Sequence, residues 1–230
     1  MKRIGVVIPA RNEEDLIERC VRSVARAAGL VDVEVSIIVV ADGCSDATAR
    51  LAAACGATVV EIDASNVGAA RAVGAEAAIA CGADWLANTD ADSVVPSDWL
   101  ISQLELAADG ADTTVGMVRP DFAELTREQQ DVWWRTHSRG EALGHVHGAN
   151  LGIRVASYLE VGGYRPLPEH EDNDLVHRLA RSHAVLATTR GEVVTSGRLV
   201  GRTPGGYARY LREMLDSEHI RDADEPEVAA

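Results

Sequence analysis

From Ile4 to Leu106 the chain alternates short apolar runs with helical patterns, a rhythm that few architectures besides a parallel sheet with crossover helices can accept. Ile4 to Ile8 reads as a buried strand, and Glu13 to Ala28 carries Leu16, Ile17, Cys20, Val21 and Val24 at helical spacing before a stop at Gly29. Val33 to Val40 is a second strand; Ser45 or Asp46 can cap a helix through Leu51 and Ala54 that ends near Gly56, and Thr58 to Ile62 is a third strand. An Ala-rich helix follows Asn66 toward Ala80, then come a strand over Trp85 to Asn88 and a helix capped by Ser97 that runs through Leu100, Leu104 and Leu106. Crossovers in such sheets are right-handed and ligands bind beyond the carboxyl ends of the strands, where Ala10–Glu14, Asp42–Asp46 and Asp90–Ser93 converge.

From about Thr113 the alternation is lost: a strand to Val118, a polar helix through Trp133 and Trp134, and a Gly- and His-rich stretch from Gly140 to Gly152. We read residues 1–220 as one α/β domain, with 1–112 forming a ligand-binding half and 113–220 completing the sheet and shaping an acceptor pocket. Residues 221–230 form an acidic tail expected to be disordered. At 47% hydrophobic and 4% aromatic, the core must be filled by Ala, Val, Leu and Ile, which suits helices laid on buried strands.

A formal charge of -14 excludes nucleic acid as a partner, because phosphate neutralisation needs a basic stripe. The four cysteines have neither zinc-ligand spacing nor the density of a disulfide scaffold. Strand-like sequence begins close to Met1 and no apolar run reaches the roughly 18 residues of a membrane span, so a cytoplasmic protein without a transmembrane segment is expected. The oligomeric state stays open, a homodimer included.

Asp90-Ala91-Asp92 places two carboxylates one residue apart at a strand end, a setting for a hard divalent cation such as Mn²⁺ or Mg²⁺ that also takes phosphate oxygens. The same pair can serve as turn-former and cap. A second cluster, Glu169, Glu171, Asp172 and Asp174, opens a helix through Leu175, Val176 and Leu179, where acids also favour the helix terminus. The first strand leads into Pro9-Ala10-Arg11-Asn12-Glu13-Glu14, not into the Gly-rich phosphate turn of a dinucleotide-binding protein. Gly68 and Ala69 permit close backbone approach to a ligand, and Arg71 offers a fork-shaped cation for phosphate or base; a packing helix with one solvated Arg reads equally well. His145 and His147 would share one face of a strand and are read as structural.

Taken in order, "VVIPARNEE", "VVADGCSD", "NVGAARAVG", "NTDADS", "HGANLGIR" and "GGYRPLPEHEDNDLVHRL" resemble the family 2 glycosyltransferases of the GT-A fold over roughly residues 4–180. The resemblance implies a single GT-A domain with a Rossmann-like, mixed but mainly parallel sheet. It also implies transfer of a sugar from a nucleotide-diphosphate donor, a UDP- or GDP-sugar, to an acceptor hydroxyl with Mn²⁺ or Mg²⁺. Pro9, Ala10, Arg11 and Glu13 would then line the nucleoside pocket, with Glu13 near the ribose and Asp42 near the base. Gly68, Arg71, Asp90, Ala91 and Asp92 would complete the donor site, Asp92 coordinating the metal and Asp90 binding the ribose or supporting the metal's shell. Asp172 aligns with the family's catalytic base, which makes the transfer an inverting single displacement.

On the acceptor side the resemblance places Gly148, Ala149 and Asn150, with Asn150 bonding a hydroxyl, and Glu171; Arg198 and Arg202 could contact diphosphate or an anionic acceptor. The Gln-x-x-Arg-Trp signature of processive members is absent, so a non-processive enzyme is expected. Two alternatives stand beside this reading. A sugar-1-phosphate nucleotidyltransferase would carry a Gly-rich basic loop where this chain has "PARNEE", and a noncatalytic nucleotide-sugar binder would have no need of "HEDNDL".

Overall fold

A computed structural model describes residues 1–137, 146–202 and 205–224. Along the chain run β1 (Arg3–Ala10), α1 (Ile17–Ala28), β2 (Glu34–Asp42), α2 (Thr48–Ala54), β3 (Thr58–Ile62), α3 (Val67–Ala80), β4 (Trp85–Asn88) and α4 (Trp99–Ala108). They are followed by β5 (Thr113–Pro120), α5 (Arg127–Thr136), β6 (Leu151–Arg154), α6 (Val155–Glu160), α7 (Glu171–Leu179), β7 (Val185–Thr195) and α8 (Tyr207–Asp224). Two compact units result, a larger one of Met1–Arg119 with Ala142–Thr195 and a smaller one of Pro120–Glu141 with Ser196–Ala230.

The larger unit is a seven-stranded sheet in the order β3-β2-β1-β4-β6-β5-β7. β1 to β4 are mutually parallel, whereas β6 runs antiparallel to both β4 and β5. This is the mixed, mainly parallel sheet expected for the GT-A fold. Register fixes the rim that matters: Ala10 lies beside Ala41 and Val7 beside Asn88, so the chain leaves β1, β2 and β4 on one side. β1 is buried on both faces through Ile4, Val6, Val7 and Ile8, the run of apolar residues that central parallel strands require. Ala-rich α3 lies directly on it; a Cβ at Gly74 would stand 2.5 Å from Val7 Cγ1 and 3.1 Å from Val40 Cγ2, so the missing side chain sets the helix-to-sheet distance.

The smaller unit packs α5 and α8 around Leu125, Val132, Trp133 and Leu211. Thr126 and Gln129 close a capping box at the start of α5, and Trp133 stacks on His137 with ring centroids 4.1 Å apart.

Several boundaries differ from expectation. α1 begins at Ile17 instead of Glu13, because Asn12 is left-handed (φ 53°) and the Glu13 N–H is bonded to Thr48 Oγ1 at 2.8 Å, which holds the entry loop against α2. Ser97 does not cap α4, whose first residue is Trp99. The residues after 113 complete the sheet, as expected, and do so with β6 inserted between β4 and β5, which draws the chain from 146 to 195 into the same body as the first half. Helix α8 continues through the acidic run to Asp224. His145, Thr203, Pro204 and residues 225–230 of the expected tail lie outside the described residues. No described helix is long and apolar enough to cross a membrane.

Candidate active site

The end of β4 carries the first pair of carboxylates. Thr89 N–H still bonds Val7 O at 3.2 Å, after which the chain leaves the sheet and closes a turn through Ser93 N–H to Asp90 O at 3.1 Å. Ala91 is buried, and this orients its acidic neighbours toward the rim. Asp92 Oδ1 accepts from Thr195 Oγ1 at 3.2 Å and sits 3.4 Å from Ser93 Oγ, while the two hydroxyls are 2.9 Å apart. Below the turn, Cys20 donates its S–H to Asp90 O at 3.2 Å. Burial, reinforced by Asp92 and Asp90, holds that thiol far above its ordinary range.

The second pair opens α7. His170 is left-handed (φ 58°) and turns the chain into the helix, where Glu171 points inward and Asp172 remains half-buried. Asp172 Oδ2 accepts from Gly148 N–H at 2.7 Å; its Oδ1 accepts from Asn173 N–H at 2.7 Å and from Asn173 Nδ2 at 3.0 Å. Asp174, read as a helix-terminus acid, pairs with Arg178 at 2.7 Å and Arg165 at 3.0 Å.

Arg71 joins the two pairs. Its Nη2 donates to Asp90 Oδ1 at 2.6 Å and its Nε to Glu171 Oε1 at 2.9 Å, with the side chain only 2% exposed. Burial alone would favour the neutral form, but the carboxylates of Asp90, Glu171 and Asp172 keep the guanidinium charged above its usual range. Glu171 is pushed up by burial, against the pull of Arg71 and with Asp172 adding to the rise.

Other expected site residues are placed differently. Asp42, expected near a nucleotide base, is buried and accepts from the backbone N–H groups of Ala64, Ser65 and Asn66 at 2.7 to 2.8 Å, so its carboxylate anchors the loop into α3. The open space at Gly68 is filled by this chain's own backbone: a Cβ there would meet Leu167 N and O at 2.8 Å. Asn150, expected to meet an acceptor hydroxyl, is buried with its whole amide engaged. Its Oδ1 accepts from Trp99 Nε1 and its Nδ2 donates to Met117 O and Gly191 O, each at 2.9 Å, and Gly116 leaves room for the side chain. Asn150→Ala is therefore expected to orphan three buried groups and to cost about 2–3 kcal/mol in urea unfolding, with nucleotide binding retained in the folded fraction.

Pro9 and Ala10 end β1, Arg11 is exposed beyond them, and Glu13 is buried where its carbonyl accepts from Leu16 and Ile17 N–H. Gly148 and Ala149 are buried in a 3-10 turn that leads into β6. Arg198 and Arg202 belong to the smaller unit, where Arg198 N–H bonds Ser196 Oγ at 3.3 Å. Thr195 was given no role by the sequence; nothing local marks it, since its contact joins the end of β7 to the turn after β4.

The donor set suits a hard cation that brings most of its own shell. Asp90 spends Oδ1 on Arg71, while its Oδ2 accepts no hydrogen bond among the described residues. Among those residues no three His, Cys, Asp or Glu side chains form a complete cage. One or two carboxylates completed by water and phosphate oxygens is the usual protein share of a Mg²⁺ site.

Comparison with known proteins agrees with this architecture. Residues 5–159 match the profile described as Glycosyl transferase family 2. A 4,4'-diaponeurosporenoate glycosyltransferase of Staphylococcus aureus is 43% identical over 61 residues, which cover 26% of this chain and 15% of that protein. The chain thus matches only a small part of this curated relative. S. aureus TarS 1-349 in complex with UDP superposes with a TM-score of 0.66 at 14% identity, over 99% of this chain and 68% of that fragment. Glucosyl-3-phosphoglycerate synthase from Mycobacterium tuberculosis in complex with Mg²⁺ and UDP gives 0.61 at 24% identity, over 94% and 79%. At these identities the structural likeness speaks for the fold, and the profile match, which spans well over half of the residues, speaks for descent: the chain belongs to glycosyl transferase family 2.

Proposed function

We propose that the protein transfers a sugar from a nucleotide-diphosphate donor, a UDP- or GDP-sugar, to an acceptor hydroxyl, by a metal-dependent, inverting and non-processive single displacement in the cytoplasm. One observation carries this reading: a single buried guanidinium links the carboxylate turn after β4 to the helix that bears Asp172. Metal-side and base-side acids are therefore parts of one construction instead of separate helix decorations.

In this reading Asp92 and Asp90 hold Mg²⁺ or Mn²⁺, and the cation when bound offsets the charge of the departing diphosphate. The loops that begin at Pro9 and Asp42 and the first turn of α3 at Gly68 frame the nucleotide, with Ala10, Arg11 and Glu13 beside it. Asp172 accepts the proton of the acceptor hydroxyl as its oxygen bonds to the anomeric carbon and the bond to the diphosphate breaks. Three N–H donors fix the direction of that carboxylate, and its remaining lone pairs are available for the proton. Gly148, Ala149 and Glu171 are assigned to the acceptor side.

The test is thermal unfolding with UDP, GDP, TDP and CDP, each with Mn²⁺ and with EDTA. One nucleotide at a hundred times its Kd is expected to add about 2.7 kcal/mol of stability with metal and to lose that gain in EDTA. Asp92→Ala should abolish the metal-dependent increment. Equal shifts with and without metal, or none with any nucleotide, would sink the proposal.

A further inference from the structure

Arg71, Glu171, Asp172 and Gly148 close a ring. Arg71 Nε donates to Glu171, whose neighbour Asp172 accepts from Gly148 N–H, and Gly148 lies against the guanidinium of Arg71. A Cβ on Gly148 would stand 2.9 Å from Arg71 Cζ and 3.2 Å from Nε, and closer still to Nη2, so only a residue without a side chain fits there. The guanidinium's remaining bonded nitrogen, Nη2, reaches Asp90 in the turn after β4.

We infer that Arg71 is a positioning residue for the proposed base, acting through Gly148. This deepens the transfer reading above and rests on it for the identity of the base. At 2% exposure the side chain presents almost no surface to a substrate. Its planar guanidinium spends Nη2 on Asp90 and Nε on Glu171, which sets the plane on which Gly148 rests, while Nη1 is buried with no hydrogen-bond partner among the described residues. The place of Gly148 N–H in turn sets Asp172 Oδ2. Lysine keeps the charge but has no plane, and so cannot define that seat.

The test uses the full chain as Arg71→Lys, Gly148→Ala and the double variant. Hydrogen exchange of the backbone N–H at position 148 is read by NMR without ligand, and the Val39 N–H in β2 reports whether the fold is intact. Exchange at 148 should rise about tenfold in each single variant while Val39 keeps its wild-type rate. The double variant should exchange no faster than Arg71→Lys, because the added methyl group would have lost the atoms it strikes. Wild-type exchange at 148 in a folded Arg71→Lys, or single effects that multiply in the double, would overturn the inference. If Arg71→Lys does not fold, Gly148→Ala decides alone by the same rate.

UDP release from UDP-glucose and GDP release from GDP-mannose, each with Mn²⁺, supply a second readout. Arg71→Lys should lower kcat about tenfold with donor KM within about threefold. A loss confined to KM would make Arg71 a donor ligand and refute the positioning role. A wild-type protein that turns over neither donor would count against the transfer reading, while the exchange rates would still decide the ring.

Discussion

Asp172→Asn is expected to lower sugar transfer by about 10²–10⁴-fold, the usual contribution of a positioned general base. The replacement keeps the shape of the side chain but removes the group that takes the proton. In wild type one oxygen faces Gly148 N–H and the other faces the two donors of Asn173, so the amide of the variant must turn its NH₂ toward one of them. A stability cost of about 1 kcal/mol follows, too small to unfold the protein. The measurement is kcat at saturating donor, together with calorimetric nucleotide affinity, which should stay within about threefold of wild type. Turnover within a factor of about ten of wild type would remove Asp172 from proton transfer.

Arg71→Met should be the most destabilising single change in the site, by about 3–5 kcal/mol, because it strands Glu171 as a buried carboxylate with no cation. Burial already raises the Glu171 pKa above its ordinary value of 4.5 against the pull of Arg71, and removing Arg71 raises it further. A carboxyl with a higher pKa in the folded state stabilises that state below its unfolded pKa, and the contribution is lost as pH rises through the folded value. The deficit of the variant should therefore be larger at about pH 8 than at about pH 5 in urea titrations. Adding Glu171→Leu should recover most of it, since an apolar replacement of the whole pair leaves no buried charge. An equal deficit in the double variant would mean that Arg71 stabilises the fold through Asp90 or packing instead.

How far the sequence could be read depended on how local each determinant is. The four parallel strands and their helices announced themselves, because a strand buried on both faces is a run such as Ile4 to Ile8 and a crossover helix has its own period. β6 and α6 did not: Leu151–Arg154 is only four residues long and is a strand because β4 and β5 flank it. The acids at Asp90, Asp92, Glu171 and Asp172 were legible as candidates, since strand ends and helix starts are where such chemistry collects. What Asn150, Asp42, Gly68 and Arg71 do was not. Each reads in sequence as ligand contact or as packing, and each is engaged by other atoms of the chain: Met117 and Gly191 for Asn150, the backbone of residues 64–66 for Asp42, Leu167 for Gly68, Glu171 for Arg71. Polar side chains at a rim serve ligand and scaffold with the same bonds, and only the tertiary partner tells them apart.

The antiparallel insertion of β6 has a consequence for synthesis of the chain on the ribosome. β1 to β4 are complete once Asn88 has emerged, but the outer edge of β4 pairs with Leu151–Arg154, which follows only after the whole of β5 and α5. During that interval a buried-type strand shows open backbone groups, the setting in which nascent chains pair with one another or engage chaperones. Truncations that stop between β5 and β6 should therefore aggregate, whereas a chain extended past Arg154 has the segment that seals the edge.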